Sequence, residues 1–500
     1  MISYFSPMDI EALIAENKAL KAELAELKRL LYGARRERYE PQKFPGQGNL
    51  FSHTSPSSEA VQETATQESV VVSQKKTKPA RKLVKRNRFP EHLERVQQVH
   101  LPQGVDIDQM TQIGSDITEL LAYQPASLYV KQIIRPRLVD KQDELAGVKQ
   151  AAIPPRLIPK GMVDESLVAQ ILVEKIQFHT PLHRFGKKLQ QAGIQTISNN
   201  NLHNWFHKAA QALLPLYHHL KTDLLAQAYN QADESPIPVQ TKDKPGATHR
   251  GYMWVLHNPA HQAVYFHYDP SRATSAASIL LEDFQGIVQT DGYEVYDRLQ
   301  KVKGFQLVHC MAHARRYFIK ARDSAPQQAD FFLQKVQQLY QIERKARQDQ
   351  LDHHQRLALR QQQAQPILAQ LHQWLSQQAN SNWLPKSPIG KAVAYALKRW
   401  QGLSAYALDG QIEIDNNLIE NTIRPLALGR KNYLFSGSHE AAKSLACLYS
   451  IIGTAIQHNL NTQEYLTWLL QQVATQKVDQ NALSWLPHRL ENKIKQQFML

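Results

Sequence analysis

The chain has 500 residues, with 59 Lys or Arg against 45 Asp or Glu, a formal surplus of +14. That length predicts roughly three or four domains with cores of their own, and the surplus favours a polyanionic partner, nucleic acid first. Only two cysteines, Cys310 and Cys447, are present, which excludes a disulfide framework and a cysteine-rich zinc module and fits a reducing cytoplasm; no long apolar run or signal-like start points to a membrane or to export.

Residues 1–40 are read as a coiled-coil dimerisation helix. Ile10, Asn17, Leu24 and Leu31 recur every seven residues, with Leu13, Leu20 and Leu27 three further on. This is an a/d seam, and the polar Asn17 at an a position is the device that fixes a paired register. The seam predicts self-association through residues 10–31, against the alternative of an amphipathic helix packed on its own protein. Residues 41–88 are too poor in large apolar side chains to offset the entropy of ordering and read as a linker. It ends in a basic run, Lys75, Lys76, Lys78, Arg81, Lys82, Lys85, Arg86 and Arg88, that contains no acid. Lys85 and Arg86 are candidate DNA contacts of the counterion-releasing kind.

Residues 89–160 form a small β-rich module, with stretches such as SLYVKQIIRPRLV and a proline-marked exit through IPPRLIPKG. Residues 161–222 switch to helical spacing. Thr180 and Pro181 predict the cap and first residue of one helix, Gly193 its stop, and Ser198 the cap of the next. That is a helix-turn-helix outline, equally a DNA-docking pair and a plain scaffold. From residue 223 to 320 the stretches GYMWVLHN, AVYFHYD, GIVQTDGY and FQLVHC predict strands of an α/β core. Residues 321–385 read as an all-helical insertion, 386–456 as the second part of the core, resuming with a strand-like QIEID at 411–415, and 457–500 as a helical tail.

Three acids lie where elements end, in turn-forming surroundings: Asp233 in QADESP, Asp291 in QTDGY and Glu420 in DNNLIENTIRP. Glu420 precedes Arg424 by four residues, a helical neighbour spacing, and Asp415 stands ahead of it as a helix cap. Each acid taken alone reads as a turn former. Converging in a basic protein, they make a hard-oxygen site suited to Mg²⁺ or Mn²⁺, and two such ions about 3.5–4 Å apart activate water and stabilise an in-line phosphoryl displacement.

The successive segments ADESP, YDPSR, QTDGYEVY, HCMAHARRYF and IDNNLIENTIRPLALGRKNYLFSGS resemble the signatures of the TnpC-type transposases of the insertion-sequence sixty-six family. LLYGARRER, IPPRLIPKG, LHRFGKKLQQAGI and SWLPHR extend the resemblance over most of the chain. The resemblance implies a ribonuclease H-like catalytic core with a helical insertion between the second and third members of an Asp-Asp-Glu triad. Carried over by position, Asp233, Asp291 and Glu420 are the triad and the ligands of two Mg²⁺ or Mn²⁺ ions, while Glu234 and Asp415 are neighbours and not members. Arg424, Arg430 and Lys431 then fall beside the third carboxylate, and Arg315 and Arg316 follow the strand ending at Cys310, all as candidate holders of DNA phosphates.

Members of the family usually carry paired cysteines in the module that corresponds to residues 89–160, and this chain has none before position 310. Zinc is therefore not expected; His92 and His100 alone do not make a site. The expectation is a cytoplasmic transposase, nucleoid-associated when bound to double-stranded DNA; the sequence leaves open whether accessory proteins of its element are required. The enzyme would cut the ends of that element and join the 3′-hydroxyl to target DNA. The rival is a catalytically silent DNA-binding regulator derived from such an enzyme.

Overall fold

The computed structural model describes Leu128 and residues 137–138, 149–150, 155–159, 161–241, 246–476 and 478–499. The chain divides into two units, Met1–Pro125 and Ala126–Leu500, and all of these residues belong to the second. The heptad seam at 10–31, the linker and basic run with Lys85 and Arg86, and His92 and His100 lie outside the described residues. Of the β-rich module, β1 (Arg137–Leu138) pairs antiparallel with β2 (Lys149–Gln150).

Three helices follow. α1 (Glu165–Ile176) is capped by the Asp164 carboxylate, which accepts the Ser166 N–H. α2 (Leu182–Gln191) buries Leu182, Phe185 and Leu189 along one stripe. It begins after Pro181 in an extended conformation, one residue later than Thr180 would have capped it. Gly193, at φ +85°, ends it in the left-handed region that glycine enters without strain. α3 (Asn199–Leu225) opens with the reciprocal cap of Ser198 and Asn201 and buries Leu202, Trp205, Leu213, Leu216 and Leu220.

The core is a five-stranded mixed sheet in the order β5-β4-β3-β6-β7. It comprises β3 (Tyr229–Gln240), β4 (Thr248–Asn258), β5 (Ala263–Asp269), β6 (Ile287–Thr290) and β7 (Gln306–His309). The first three strands form an antiparallel meander, and β6 and β7 add parallel to β3. β3 is central only at its start, where residues 229–231 pair with β6. Beyond that it pairs with β4 alone on one side, and its free edge tolerates Pro236 and Pro238, which have no N–H to give. On that edge the Pro238 carbonyl accepts the Ser436 N–H, and the Ser436 carbonyl accepts the Gln240 N–H, both at 2.8 Å.

Helices cover both faces. α3 packs with α13 (His439–Gln457) against β5, and hydroxyls of α13 accept N–H groups of β5: Ser450 from Phe266 at 2.8 Å and Thr454 from Val264 at 3.1 Å. The outer strand is thereby closed to further pairing. α4 (Thr274–Leu281) and α5 (Glu294–Lys303) pack together, α4 reaching β4 and α5 reaching β7, with Tyr296 of α5 edge-on to Trp254.

α6 (Met311–Ala321) leads into a helical region with its own core: α7 (Pro326–Gln348), α8 (His353–Leu359), a π turn at Arg360–Ala364, α9 (Gln365–Ala379), α10 (Pro388–Lys398) and α11 (Trp400–Ser404). Phe318 stacks on Phe332 there, with Leu339, Leu371 and Ala392 in the same cluster. α12 (Asn417–Tyr433) returns across β3 and β4, and α14 (Thr462–Thr475) packs on α1.

QIEID at 411–415 is not a strand. Its alternation is real, since Ile412 and Ile414 are buried. Most of the partners recorded for its backbone are side chains: the Tyr229 hydroxyl takes the Glu413 N–H, Gln289 donates to the Glu413 carbonyl, and Gln231 donates to the Asp415 carbonyl. No helix among the described residues is long and apolar enough to cross a membrane.

Candidate active site

The strand register decides where the first two acids meet. β3 and β6 run parallel with Gln231 opposite Gln289, an offset of 58 residues. Two residues further along, past the last residues paired between these two strands, the same offset brings Asp233 and Asp291 to the same end of the sheet. Asp233 lies on β3 and Asp291 follows directly after β6. Glu420 enters from the first turn of α12. The three are within electrostatic reach of one another: burial first, then the charges of Glu234, Asp291 and Glu420, push the Asp233 carboxyl well above the usual carboxylate range.

Beneath the acids lies a buried rung of polar side chains. Gln231 donates to Gln289 at 2.9 Å, and the Tyr229 hydroxyl donates to the same Gln289 oxygen at 2.6 Å. The Gln231 side-chain oxygen, Oε1, accepts the Ile419 N–H at 3.1 Å, so the residue before Glu420 is tied to the strand that carries Asp233. Side chains two apart in a strand share a face, which puts Gln231 directly under Asp233. The repeated Gln-x-Asp, in QAD and QTD, was the signal for this pair.

Each acid is held differently. Asp233 accepts the Glu234 N–H at 2.7 Å, and Asp291 accepts the Tyr293 N–H at 2.8 Å. Side chains from the end of the helical region grip the Asp291-Gly292 turn: the Tyr395 hydroxyl donates to the Asp291 carbonyl at 2.7 Å and Arg399 to the Gly292 carbonyl at 2.6 Å. Gly292 has φ +93°, and a Cβ there would meet Arg399 Nε at 2.5 Å, so the turn needs glycine twice over. Asp415 bonds the Asn417 N–H at 3.0 Å and the Tyr340 hydroxyl at 2.6 Å. The expected cap is displaced by one residue, since Asn416 holds the N-cap position of α12 and makes no side-chain cap bond; Asp415 instead fastens the start of α12 to α7.

The cations divide the acids into two kinds. Arg272 pairs with Glu234 while lying over the Tyr293 ring at 4.1 Å. Arg316 Nη2 reaches both oxygens of Glu420, at 2.9 and 3.2 Å, and His313 Nε2 stands 3.9 Å from that carboxylate. Burial, then Arg316, lowers the His313 pKa. The expected neighbour pair between Glu420 and Arg424 is not formed; Arg316 takes the position. Asp233 and Asp291 have no cation at ion-pair distance among the described residues.

The other expected DNA contacts are spread along two helices. Arg315 is exposed on α6, and Arg424 and Lys431 are exposed on α12. Arg430 is half-buried and donates to the Ser235 hydroxyl at 3.0 Å and to the Pro236 carbonyl. Among the described residues no three His, Cys, Asp or Glu side chains are spaced as a ready cation cage.

A family model described as "Transposase IS66 family" matches residues 160–444, and one described as "Transposase C of IS166 homeodomain" matches residues 19–97. "Uncharacterized protein y4jD" of Sinorhizobium fredii is 30% identical over 510 residues, 96% of this chain and 96% of the relative. From the same organism, "Uncharacterized protein y4hP" is 26% identical over 92% of this chain and 86% of its own length. "Uncharacterized protein y4qI" is 28% identical over 79% and 76%. All three acids fall inside the first matched region, and the chain belongs to the IS66 family of transposases.

Proposed function

We propose that the chain is the DNA strand-cutting and strand-joining enzyme of an insertion sequence, with Asp233, Asp291 and Glu420 as its catalytic carboxylates. The reading rests on one observation: Asp291, directly after β6, and Glu420, in the first turn of α12, come within electrostatic reach of Asp233 on β3, and Asp233 and Asp291 have no counter-charge among the described residues. The strand order supports a ribonuclease H-like core, since counted from β3 the sheet runs 3-2-1-4-5 with the first three strands antiparallel. Both family descriptions and the surplus of +14 support DNA as the substrate.

The donor set is all oxygen, and the burial and then the acidic neighbours that lift the Asp233 carboxyl are what a hard dication offsets. Asp233 and Asp291 would hold Mg²⁺ or Mn²⁺, with Glu420 joining them once Arg316 has let it go. Bound there, the metal would supply nucleophile activation and charge stabilisation on the reacting phosphate. The protein's own part is positional. The Gln231–Gln289 bond sets the separation of the two aspartates, backbone N–H groups at 234 and 293 orient their oxygens, and Tyr395 with Arg399 holds the second at its turn. Arg316, released from Glu420, is placed to meet a phosphate oxygen.

The test is divalent-metal-dependent cleavage and joining on the element's own ends. Asp291→Asn and Glu420→Gln should each abolish both steps with DNA binding intact, while Glu234→Gln leaves measurable activity. Mg²⁺ and Mn²⁺ should support the reaction and Ca²⁺ should not. A second reading, a silent DNA-binding regulator, draws on the Arg316–Glu420 pair; equal DNA binding without cleavage by the wild type would favour it.

A further inference from the structure

Farther along β3 from Asp233 lies a pocket of about 430 Å³ lined by Pro236 and Pro238 of β3, Thr248, His249 and Arg250 of β4, and Arg430 of α12. Its lining contains two guanidinium groups and no carboxylate. Neither Arg250 nor Arg430 has an acidic partner among the described residues. Arg430 is fixed through Nη1 to the Ser235 hydroxyl and the Pro236 carbonyl, which leaves its remaining N–H groups unbonded among those residues. Burial lowers the Arg430 pKa, Tyr433 opposes that in part, and the nearby charge of Arg250 lowers it further. His249 is held by the Pro270 carbonyl at 2.6 Å, and the two prolines offer no N–H that would compete for a ligand. The buried Arg356 and Arg360, by contrast, are paired with Glu343. A rigid fork of donors with no acid suits a phosphate.

We propose that this pocket is a phosphate subsite that grips the DNA strand away from the reacting bond, with Arg250 and Arg430 as its two cations. The inference rests on the reading of Asp233, Asp291 and Glu420 as the cutting centre. Pro236 to Pro238 lie three to five residues beyond Asp233, about 10–16 Å along an extended strand. At about 3.4 Å of helix axis per nucleotide of one strand, the gripped phosphate is about three to five nucleotides from the one at the carboxylates. The subsite sets the register of the cut, and it reads no bases.

The experiment measures binding of the full-length chain, without divalent metal, to duplexes of the element's end in which one phosphate at a time is a neutral methylphosphonate. For the wild type, one position about three to five nucleotides from the cleaved bond should cost about tenfold in affinity, the loss of one charge-assisted contact. For Arg250→Ala, an exposed site whose change leaves the fold intact, that position should become silent while the others keep their effects. The slope of log affinity against log salt should fall by about 0.9. Arg430→Lys, which retains the charge, should keep the slope and reduce the positional effect. Superimposable profiles for wild type and Arg250→Ala overturn the subsite. Inorganic phosphate binding that is lost in Arg250→Ala, with an unchanged methylphosphonate profile, assigns the pocket to a free anion and also overturns it. The profile needs no turnover, so a failure of the carboxylate reading shows separately, as cleavage that survives Glu420→Gln.

Discussion

Glu343 on α7 and Asp233 on β3 are both carboxylates drawn away from water, yet their surroundings push them in opposite directions. Around Glu343, Arg360 donates through Nε and Nη2 at 2.8 Å each, and Arg356 through Nε and Nη2 at 3.1 and 2.9 Å. Arg360 also serves the carbonyls of Tyr406 and Asp409, and Arg356 reaches Glu413. Burial alone would raise the Glu343 pKa, but the bonds and charges of Arg360 and Arg356 outweigh it, and the group sits below its ordinary value. Around Asp233 the named charges are acids, and the group sits well above its ordinary value. The helical region completes its charges within the chain. The strand ends leave theirs incomplete, and an imbalance that folding does not require marks a place for something outside the chain.

The comparison breaks most easily at Glu343. Glu343→Gln leaves the buried Arg360 guanidinium without its counter-charge and Arg356 with Glu413 alone, and should cost about 3–5 kcal/mol of stability, read from urea unfolding; a loss under about 1 kcal/mol would show that the network is not completed as described. Gln231→Leu comes next. It removes the rung under Asp233 and the acceptor for Ile419, and should cut the cleavage rate about 10–100-fold, as loss of a group that orients a ligand does. DNA affinity should stay unchanged, so a parallel loss of affinity would make Gln231 a folding residue only.

Asp233→Asn should have the opposite sign to Glu343→Gln in the metal-free chain, raising stability by about 1 kcal/mol because it removes a buried carboxylate and its repulsion by neighbouring acids; destabilisation would show that Asp233 is balanced after all. The smallest effect is in pH. A carboxyl held below its ordinary value contributes stability above the unfolded pKa, 4.5 for glutamate, and loses it as the pH falls through the folded value. The stability gap between wild type and Glu343→Gln should therefore narrow below about pH 4.5, and a gap independent of pH would contradict the charge pairing.

Much of this was legible in the residues, for reasons that differ by element. The strands at 252–258, 263–269 and 306–309 are apolar runs bounded by turn residues, and Ser198 caps its helix through a side chain only two or three atoms long. Local chemistry of this kind survives in any surroundings. Thr180 lost its cap because Pro181 holds an extended backbone, a shift of one residue. QIEID has the alternation of a strand, but a strand also needs a neighbour, and here side chains of Tyr229, Gln231 and Gln289 bond its backbone instead. The position of Arg316 was equally out of reach, since Glu420 lies 104 residues away and the nearer Arg424 offered the same charge. Gln231 and Gln289 escaped notice because an uncharged amide carries no chemistry until the register shows what it supports.

The most direct measurement is cleavage of the element's end by wild type and Asp233→Asn in Mg²⁺, with DNA binding followed in the same samples. The account predicts equal binding, and a fall in cleavage of about 10³-fold or more when the central carboxylate becomes an amide of the same shape. Cleavage by Asp233→Asn at the wild-type rate would contradict it.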